Sequence, residues 1–282
     1  MPTVNVRGVD HYYEWVCGSD KSPKPVMVFV HGWGGSGRYW RSTAEAIASD
    51  FDCLLYDLRG FGRSVLPQDV PDLGYGMEDY ADDLAAFLDA LNLQRVYLNA
   101  HSMGASIATF FLNRYRERVH QAILTCNGIF EYDAKAFAAF HRFGGYVVKF
   151  RYNWFVKFPF ADRMFMARFL HRPIAKSDRL AFLEDFLLAD YEAAVGTIYT
   201  SVSEQAVATM PQEFSKLEVP TLMISGEKDI IIPAKMGRQA AALNDKIHYV
   251  ELAQTSHFPM LEDPAAYLNT IRNFLQVNSV VA

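Results

Sequence analysis

Short, uninterrupted apolar runs constrain the fold of this chain more than any other feature of its sequence. They cover residues 26–30, 53–56, 96–98 and 122–126. Strands buried on both faces of a parallel sheet have this pattern, whereas a strand with one wet face alternates apolar and polar residues. The runs therefore predict the central strands of a parallel sheet.

Helical patterns separate these runs, near 38–49, 77–91 and 103–115. After Pro220 the alternation resumes, with strands at 221–225 and 247–252 and helices near 234–243 and 264–276. Two further short strands are predicted near 3–9 and 11–17. Strands that alternate with helices imply right-handed crossovers and a doubly wound, mostly parallel α/β sheet. Ligand sites in such sheets lie at the carboxyl ends of the strands.

One segment departs from this rhythm. Residues 129–204 show no strand–helix alternation, and the stretch from Phe130 to Tyr191 holds 17 of the 40 Phe, Tyr and Trp residues. We expect several aromatic-rich helices there, inserted after the sixth strand as a lid over the strand ends. The predicted core then comprises residues 1–128 and 205–282.

A serine lies where one predicted strand passes into a helix, in the stretch NAHSMGA at 99–105. An exposed nucleophile there requires a sharp, strained turn, and small residues at Ala100 and Gly104 would let the two sides of the turn approach each other. The backbone N–H of Met103 would lie at the helix N-terminus, where negative charge is favoured. Ser102 is therefore a candidate nucleophile.

A serine needs a base, and the base needs an acid that orients it. His257 and Asp229 both follow predicted strands, so both can reach the sheet edge at which Ser102 lies. Glu131 and Asp133, after the strand at 122–126, are alternative acids.

A second oxyanion donor is expected in the glycine-rich loop HGWGGSG, which follows the strand at 26–30. The backbone N–H of Trp33 is the candidate.

Five motifs occur in an order that resembles the α/β-hydrolase-fold serine hydrolases of esterase or lipase type. They are HGWGG at 31–35, DLRGFGRS at 57–64, AHSMG at 100–104, GEKD at 226–229 and SHFPMLEDP at 256–264. The resemblance implies that Ser102 is the nucleophile, Asp229 the acid and His257 the base. Trp33 and Met103 match the oxyanion-hole positions. No metal or organic cofactor is implied.

Neighbouring residues have other expected roles. Trp33, His101 and Phe258 are candidates for contact with the substrate, although His31 and His101 are both expected to be mainly structural. Glu262 is expected to be solvated.

Charge and cysteine content narrow the class of protein. The net charge of −5 gives no global signal for nucleic-acid binding. The three cysteines are widely spaced in apolar runs, which indicates buried, reduced thiols. With no signal-peptide pattern at the N-terminus and no long apolar run, we expect a cytoplasmic protein without a membrane span.

The predicted lid has an unusual charge. Residues 141–176 contain eight Lys and Arg residues against one acid, Asp162, and many aromatics lie among them. This pattern fits a packed lid with basic residues outside. It also fits a peripheral contact with an anionic membrane or a large apolar ester.

We expect hydrolysis of a carboxylic ester with an apolar acyl or alcohol part, through an acyl-enzyme on Ser102. Alternatives on the same three residues are carbon–carbon bond hydrolysis and a cofactor-free perhydrolase or haloperoxidase-like reaction. A hydrolase-like small-molecule receptor is the non-enzymatic alternative.

Overall fold

The computed structural model describes residues 2–19, 23–69, 72–131 and 133–277 of the 282. Within these ranges the chain forms eight strands, namely β1 (Thr3–Val6), β2 (Val9–Val16), β3 (Val26–Val30), β4 (Asp52–Tyr56), β5 (Val96–His101), β6 (Val119–Thr125), β7 (Thr221–Gly226) and β8 (Ile247–Leu252). The α-helices there are α1 (Arg41–Ile47), α2 (Met77–Ala90), α3 (Met103–Arg114), α4 (Ala134–Lys149), α5 (Ala161–Met166), α6 (Lys176–Leu188), α7 (Tyr191–Ser201), α8 (Glu204–Ser215), α9 (Ala234–Ala241), α10 (Pro259–Glu262) and α11 (Pro264–Val277).

The strands form one sheet in the order β1-β2-β4-β3-β5-β6-β7-β8. The pairs β1–β2 and β2–β4 are antiparallel, and every pair from β4 to β8 is parallel. The doubly wound, mostly parallel sheet predicted from the sequence is confirmed. Its parallel part aligns the carboxyl ends of β3, β5, β7 and β8 along one edge, because parallel strands all end on the same side.

Helices cover both faces of the sheet. In β3, Val28 and Val30 face the core that contains α2 and α3, whereas Met27 and Phe29 face the core that contains α1 and α11. All four side chains are fully buried. This two-sided burial explains the uninterrupted apolar run at 26–30, since neither face of the strand meets water.

Between β6 and β7 the described chain forms helices α4 to α8 and a short 3-10 helix at Asn153–Lys157. Hydrogen bonds at two places hold this part to the core. Asp185 of α6 accepts hydrogen bonds from Ser36 Oγ (2.6 Å) and Arg38 Nε (3.0 Å), and Trp33 Nε1 donates to the carbonyl of Ala194 in α7 (2.9 Å). The last helix, α8, instead packs on α3 and α9 beside the sheet. We refer to residues 129–204 as the inserted segment.

The cysteine prediction is partly wrong. Cys53 and Cys126 are buried, but Cys17 is exposed, because β2 ends at Val16 and the next residue lies outside the sheet.

None of the described helices combines the length and the apolar character that crossing a bilayer requires.

Candidate active site

Ser102 lies on the tight turn between β5 and α3. Its backbone angles are φ +53° and ψ −122°, in a region that residues other than glycine rarely adopt. Its N–H donates to the carbonyl of Thr125 at the end of β6 (2.9 Å), so the neighbouring strand holds the strained residue in place. The turn presents the half-buried serine hydroxyl at the carboxyl edge of the sheet.

Gly104 is expected to be small because it approaches Ala100, but the structure shows a different reason. A Cβ at Gly104 would lie 2.3 Å from the carbonyl oxygen of His31 and 2.7 Å from that of Val30. The close approach is therefore between α3 and the end of β3. Ala100 is not among the three nearest contacts of that Cβ.

The structure brings Ser102, His257 and Asp229 together. His257 Nε2 lies 3.0 Å from Ser102 Oγ, and His257 Nδ1 lies 2.7 Å from Asp229 Oδ2. An ionised carboxylate can only accept, so Nδ1 carries the ring proton and Nε2 is free to accept the serine proton. The side chains of His257 and Asp229 are almost completely buried.

Asp229 is itself held by backbone donors. Its Oδ1 accepts hydrogen bonds from the N–H groups of Ile231 (2.7 Å) and Ile232 (3.1 Å), which leaves Oδ2 for His257. The alternative acids lie elsewhere. Glu131 pairs with Lys235 at the surface (3.0 Å), and Asp133 is exposed.

Two backbone N–H groups lie close to Ser102. Met103 is the first residue of α3, and Trp33 follows Gly32, at which a Cβ would lie 3.1 Å from Ser102 Cβ. Among the described residues, neither N–H has a hydrogen-bond acceptor. Free N–H groups beside a serine hydroxyl, one of them at a helix N-terminus, suit a developing negative charge.

His101 lies beneath His257. Its Nε2 donates to the backbone carbonyl of His257 (2.7 Å), and its Nδ1 accepts from the Tyr39 hydroxyl (2.9 Å), which in turn accepts from the N–H of Gly32 (2.5 Å). Burial lowers the pKa of His101 well below its ordinary value, which keeps the ring neutral in this chain of hydrogen bonds. Both ring nitrogens are engaged, so neither is available to a substrate. The structural role expected of His101 fits this position.

An aromatic cluster lies beside His257. Phe169 of the inserted segment is 6.0 Å from the His257 ring, and its carbonyl accepts the His257 N–H (3.0 Å). Phe258 packs against His101 at 4.9 Å and is 1% exposed, so it supports the site from below. Further rings complete the cluster, namely Trp33, Phe165, Phe182 and Phe186.

Sequence reasoning misjudged Glu262. Its carboxylate is buried and accepts four backbone N–H bonds. Oε2 accepts from His171 and Arg172 (2.7 Å each), and Oε1 accepts from Ser256 (2.8 Å) and Phe258 (3.3 Å). The expectation that Glu262 is solvated is wrong, because α10 turns its side chain inward. Glu262 thereby joins the inserted segment to the loop that carries His257. Its position five residues after His257 in the sequence does not predict these contacts.

A buried group of His101, Cys126 and His257 has possible metal-ligand atoms within 4.8 Å of one another. The ring nitrogens of both histidines already take part in hydrogen bonds. Burial raises the pKa of the Cys126 thiol well above its ordinary value, whereas a metal requires the thiolate. This donor set does not suit a metal ion.

The chain belongs to the α/β hydrolase fold family, whose sequence model matches residues 25–264. A protein of Pseudomonas syringae pv. syringae (strain B728a) named "Putative carbamate hydrolase RutD" is 26% identical over 275 residues, which are 89% of this chain and 93% of that protein.

Two solved structures are similar to this chain in fold. The enol-lactonase of Burkholderia xenovorans LB400 has a TM-score of 0.77 at 20% identity, covering 98% of this chain and all of the other. The bromoperoxidase of Bacillus anthracis has a TM-score of 0.80 at 21% identity, with the same coverage. Proteins of this fold thus carry names of different activities, so the substrate of this chain must be argued from its site.

Proposed function

We propose that this protein is a serine hydrolase that cleaves carboxylic esters through an acyl-enzyme on Ser102. The observation that carries the proposal is the continuous hydrogen-bonded series from Ser102 through His257 to Asp229, with Ser102 held on a strained turn. A serine hydroxyl is a weak nucleophile, and this series supplies the base and the orienting acid that it needs.

In the proposed reaction His257 Nε2 takes the proton of Ser102 as Oγ attacks the ester carbonyl. The N–H groups of Trp33 and Met103 stabilise the oxyanion. His257 then gives the proton to the leaving alcohol, and the acyl group remains on Ser102. Water attacks this acyl-enzyme by the same route, releasing the acid and restoring the serine.

We propose a small-molecule substrate with an apolar acyl or alcohol part. Half-buried Phe169 lies next to His257, and half-buried Trp33 and Phe165 belong to the same aromatic cluster through Phe186, so the cluster offers apolar surface beside the base. We further propose that the inserted segment acts as a lid that also contacts a membrane peripherally. Three unpaired thiols support the expected cytoplasmic location.

Carbamate hydrolysis is the second candidate, favoured by the name of the Pseudomonas syringae relative. The same nucleophile could attack a carbamate carbonyl. An aromatic cluster has little to contribute to a small polar carbamate, so the structure favours apolar esters.

The test is hydrolysis of p-nitrophenyl esters from acetate to palmitate, with a small carbamate in parallel. Activity should peak beyond acetate. Ser102→Ala should reduce turnover by about four to six orders of magnitude. The matched control is Ser106→Ala, one turn further along α3, which should keep turnover.

A fluorophosphonate probe separates the nucleophile from the substrate, because it loses fluoride to an activated serine whatever the natural ester. Labelling of wild type but not of Ser102→Ala is expected. Labelling with activity confined to acetate would reject the apolar substrate, and an unlabelled, folded wild type would reject Ser102 as the nucleophile.

A further inference from the structure

The inserted segment exposes large apolar side chains that a soluble surface ordinarily hides. Between residues 140 and 164 the most exposed are Phe143, Phe150, Trp154, Phe158, Phe160 and Met164, each 53–67% exposed. Large exposed apolar patches on a folded chain mark interaction sites. We name residues 140–164 the aromatic surface.

The exposure follows from how α4 packs. Its inner side lies on α7, where Val148 is buried and a Cβ at Gly144 would contact Ile198. The outer side carries Phe143 and Phe150, two turns apart, and Tyr146 stacks on Phe150 at 6.1 Å. A shallow groove of about 460 Å³ lies beside Phe143 and Tyr146. Within the described residues, the main helical partner of α4 is α7, and the rings on its outer side stay exposed.

The aromatic surface is positively charged. It contains five Lys and Arg residues and one acid in a chain of net charge −5. The acid, Asp162, is buried and pairs with Arg179 at 2.8 Å, so it offers no exposed negative charge. Cations lie over exposed rings, for example Lys149 over Phe150 at 5.9 Å and Arg163 over Phe160 at 5.8 Å.

We propose that the aromatic surface binds peripherally to membranes that contain anionic phospholipid headgroups. Exposed aromatic rings partition to the boundary between headgroups and acyl chains, and Lys and Arg attract anionic headgroups. A second copy of this chain fits less well, because two like-charged surfaces would face each other. The described helices are too short or too polar to span a bilayer, so the surface lies on the membrane.

The aromatic surface is continuous with the candidate active site. It ends at Met164, and the next residue, Phe165, contacts Phe169, which packs on His257. A lipid-derived ester would therefore meet apolar side chains from the membrane to the hydroxyl of Ser102. Membrane binding itself rests on exposure and charge and does not depend on the proposed ester hydrolysis.

The test is flotation of the full chain with liposomes of phosphatidylcholine alone and with liposomes of phosphatidylcholine mixed with phosphatidylglycerol, an anionic lipid. Binding should require the anionic lipid and weaken in high salt. Lys149→Gln combined with Lys157→Gln should weaken binding roughly 25-fold, about fivefold for each lysine. Phe143→Ser combined with Trp154→Ser should also abolish most of the recovery.

The matched control is Trp15→Ser, which removes an exposed aromatic on β2 and should bind like wild type. Circular dichroism checks that each variant is folded. Ser102→Ala should bind as wild type does, so inactivity toward esters and failure to bind lipid remain distinguishable. Equal recovery with neutral and anionic vesicles would overturn the proposal. So would a dimer, detected by sedimentation, that dissociates when Phe143 and Trp154 are replaced by serine.

Discussion

Replacing Glu262 by glutamine removes one charge and one acceptor from the junction between the inserted segment and the His257 loop. The carboxylate is buried and accepts four backbone N–H bonds, two with each oxygen; those from Ser256 and Phe258 are buried, and those from His171 and Arg172 are partly buried. A glutamine amide keeps one acceptor oxygen and turns an NH₂ group toward the other two donors. Two backbone N–H groups, either the buried pair or the partly buried pair, therefore lose their acceptor.

The expected cost follows from those two groups. A buried donor without an acceptor costs about 1–3 kcal/mol and a partly buried one costs less, so Glu262→Gln should lower the free energy of unfolding by roughly 1–6 kcal/mol. Domains are typically stable by about 5–15 kcal/mol, so the variant should still fold. Ser256 and Phe258 flank His257 in sequence, and a displacement of about 1 Å at a reacting group costs about 100-fold in rate.

Urea unfolding gives the stability change, and the rate of fluorophosphonate labelling at Ser102 gives the effect on the reacting groups. Labelling should slow by roughly 10- to 100-fold. The control is Glu218→Gln, which removes one partner of an exposed pair with Arg116 and should change stability by less than about 1 kcal/mol. A Glu262→Gln protein as stable and as quickly labelled as wild type would show that the four bonds do not position His257.

Three further changes have defined outcomes. Gly104→Ala should destabilise the fold by roughly 1–3 kcal/mol in urea unfolding, because its Cβ would lie 2.3 Å from the His31 carbonyl oxygen. Burial lowers the pKa of His31 from 6.5 to about 4, so between these pH values the unfolded chain binds a proton that the folded ring does not. His31 should therefore contribute a loss of stability of about 3 kcal/mol as pH falls through this window, and His31→Gln should remove that contribution while leaving that of His101. Asp185→Asn should speed proteolysis of the inserted segment, because Asp185 accepts three hydrogen bonds that hold α6 to the core.

Each of these three substitutions has a matched control at a more exposed or less crowded position. Gly145→Ala should be tolerated, since its Cβ would meet only Tyr199 Oη at 3.4 Å. His248 is exposed, so His248→Gln should retain the pH dependence. Glu184→Gln should leave proteolysis nearly unchanged, because that side chain is half exposed beside Arg38. If a control variant changed stability, pH dependence or proteolysis as much as its test variant, the role assigned to the buried residue would be contradicted.

Much of the fold was predictable because its signals are local. The apolar run at 26–30 coincides with β3, the run at 122–126 ends one residue beyond β6, and the predicted helix at 77–91 matches α2 to within one residue. The periodicity of side chains along one element identifies that element without knowledge of its neighbours. The order of Ser102, Asp229 and His257, each after a strand, likewise predicted their meeting at one sheet edge.

The errors at Glu262 and Gly104 concern residues whose environment depends on distant parts of the chain. Glu262 has the sequence context of a surface acid, yet it accepts from His171 and Arg172, about ninety positions earlier. Gly104 is required by the carbonyls at the end of β3, which lie nearer to it than Ala100 does. No local pattern encodes either contact.

The sequence by itself determined the alternation of strands and helices, the strained turn at Ser102, and the basic, aromatic character of residues 140–164, because periodicity, turn geometry and composition are local properties. Only the tertiary structure decided that Asp229 orients His257, that Glu262 is a buried acceptor, and that the aromatic side of α4 faces outward. These depend on which surfaces meet when distant segments pack, since packing decides which polar groups lose water and which apolar groups keep it.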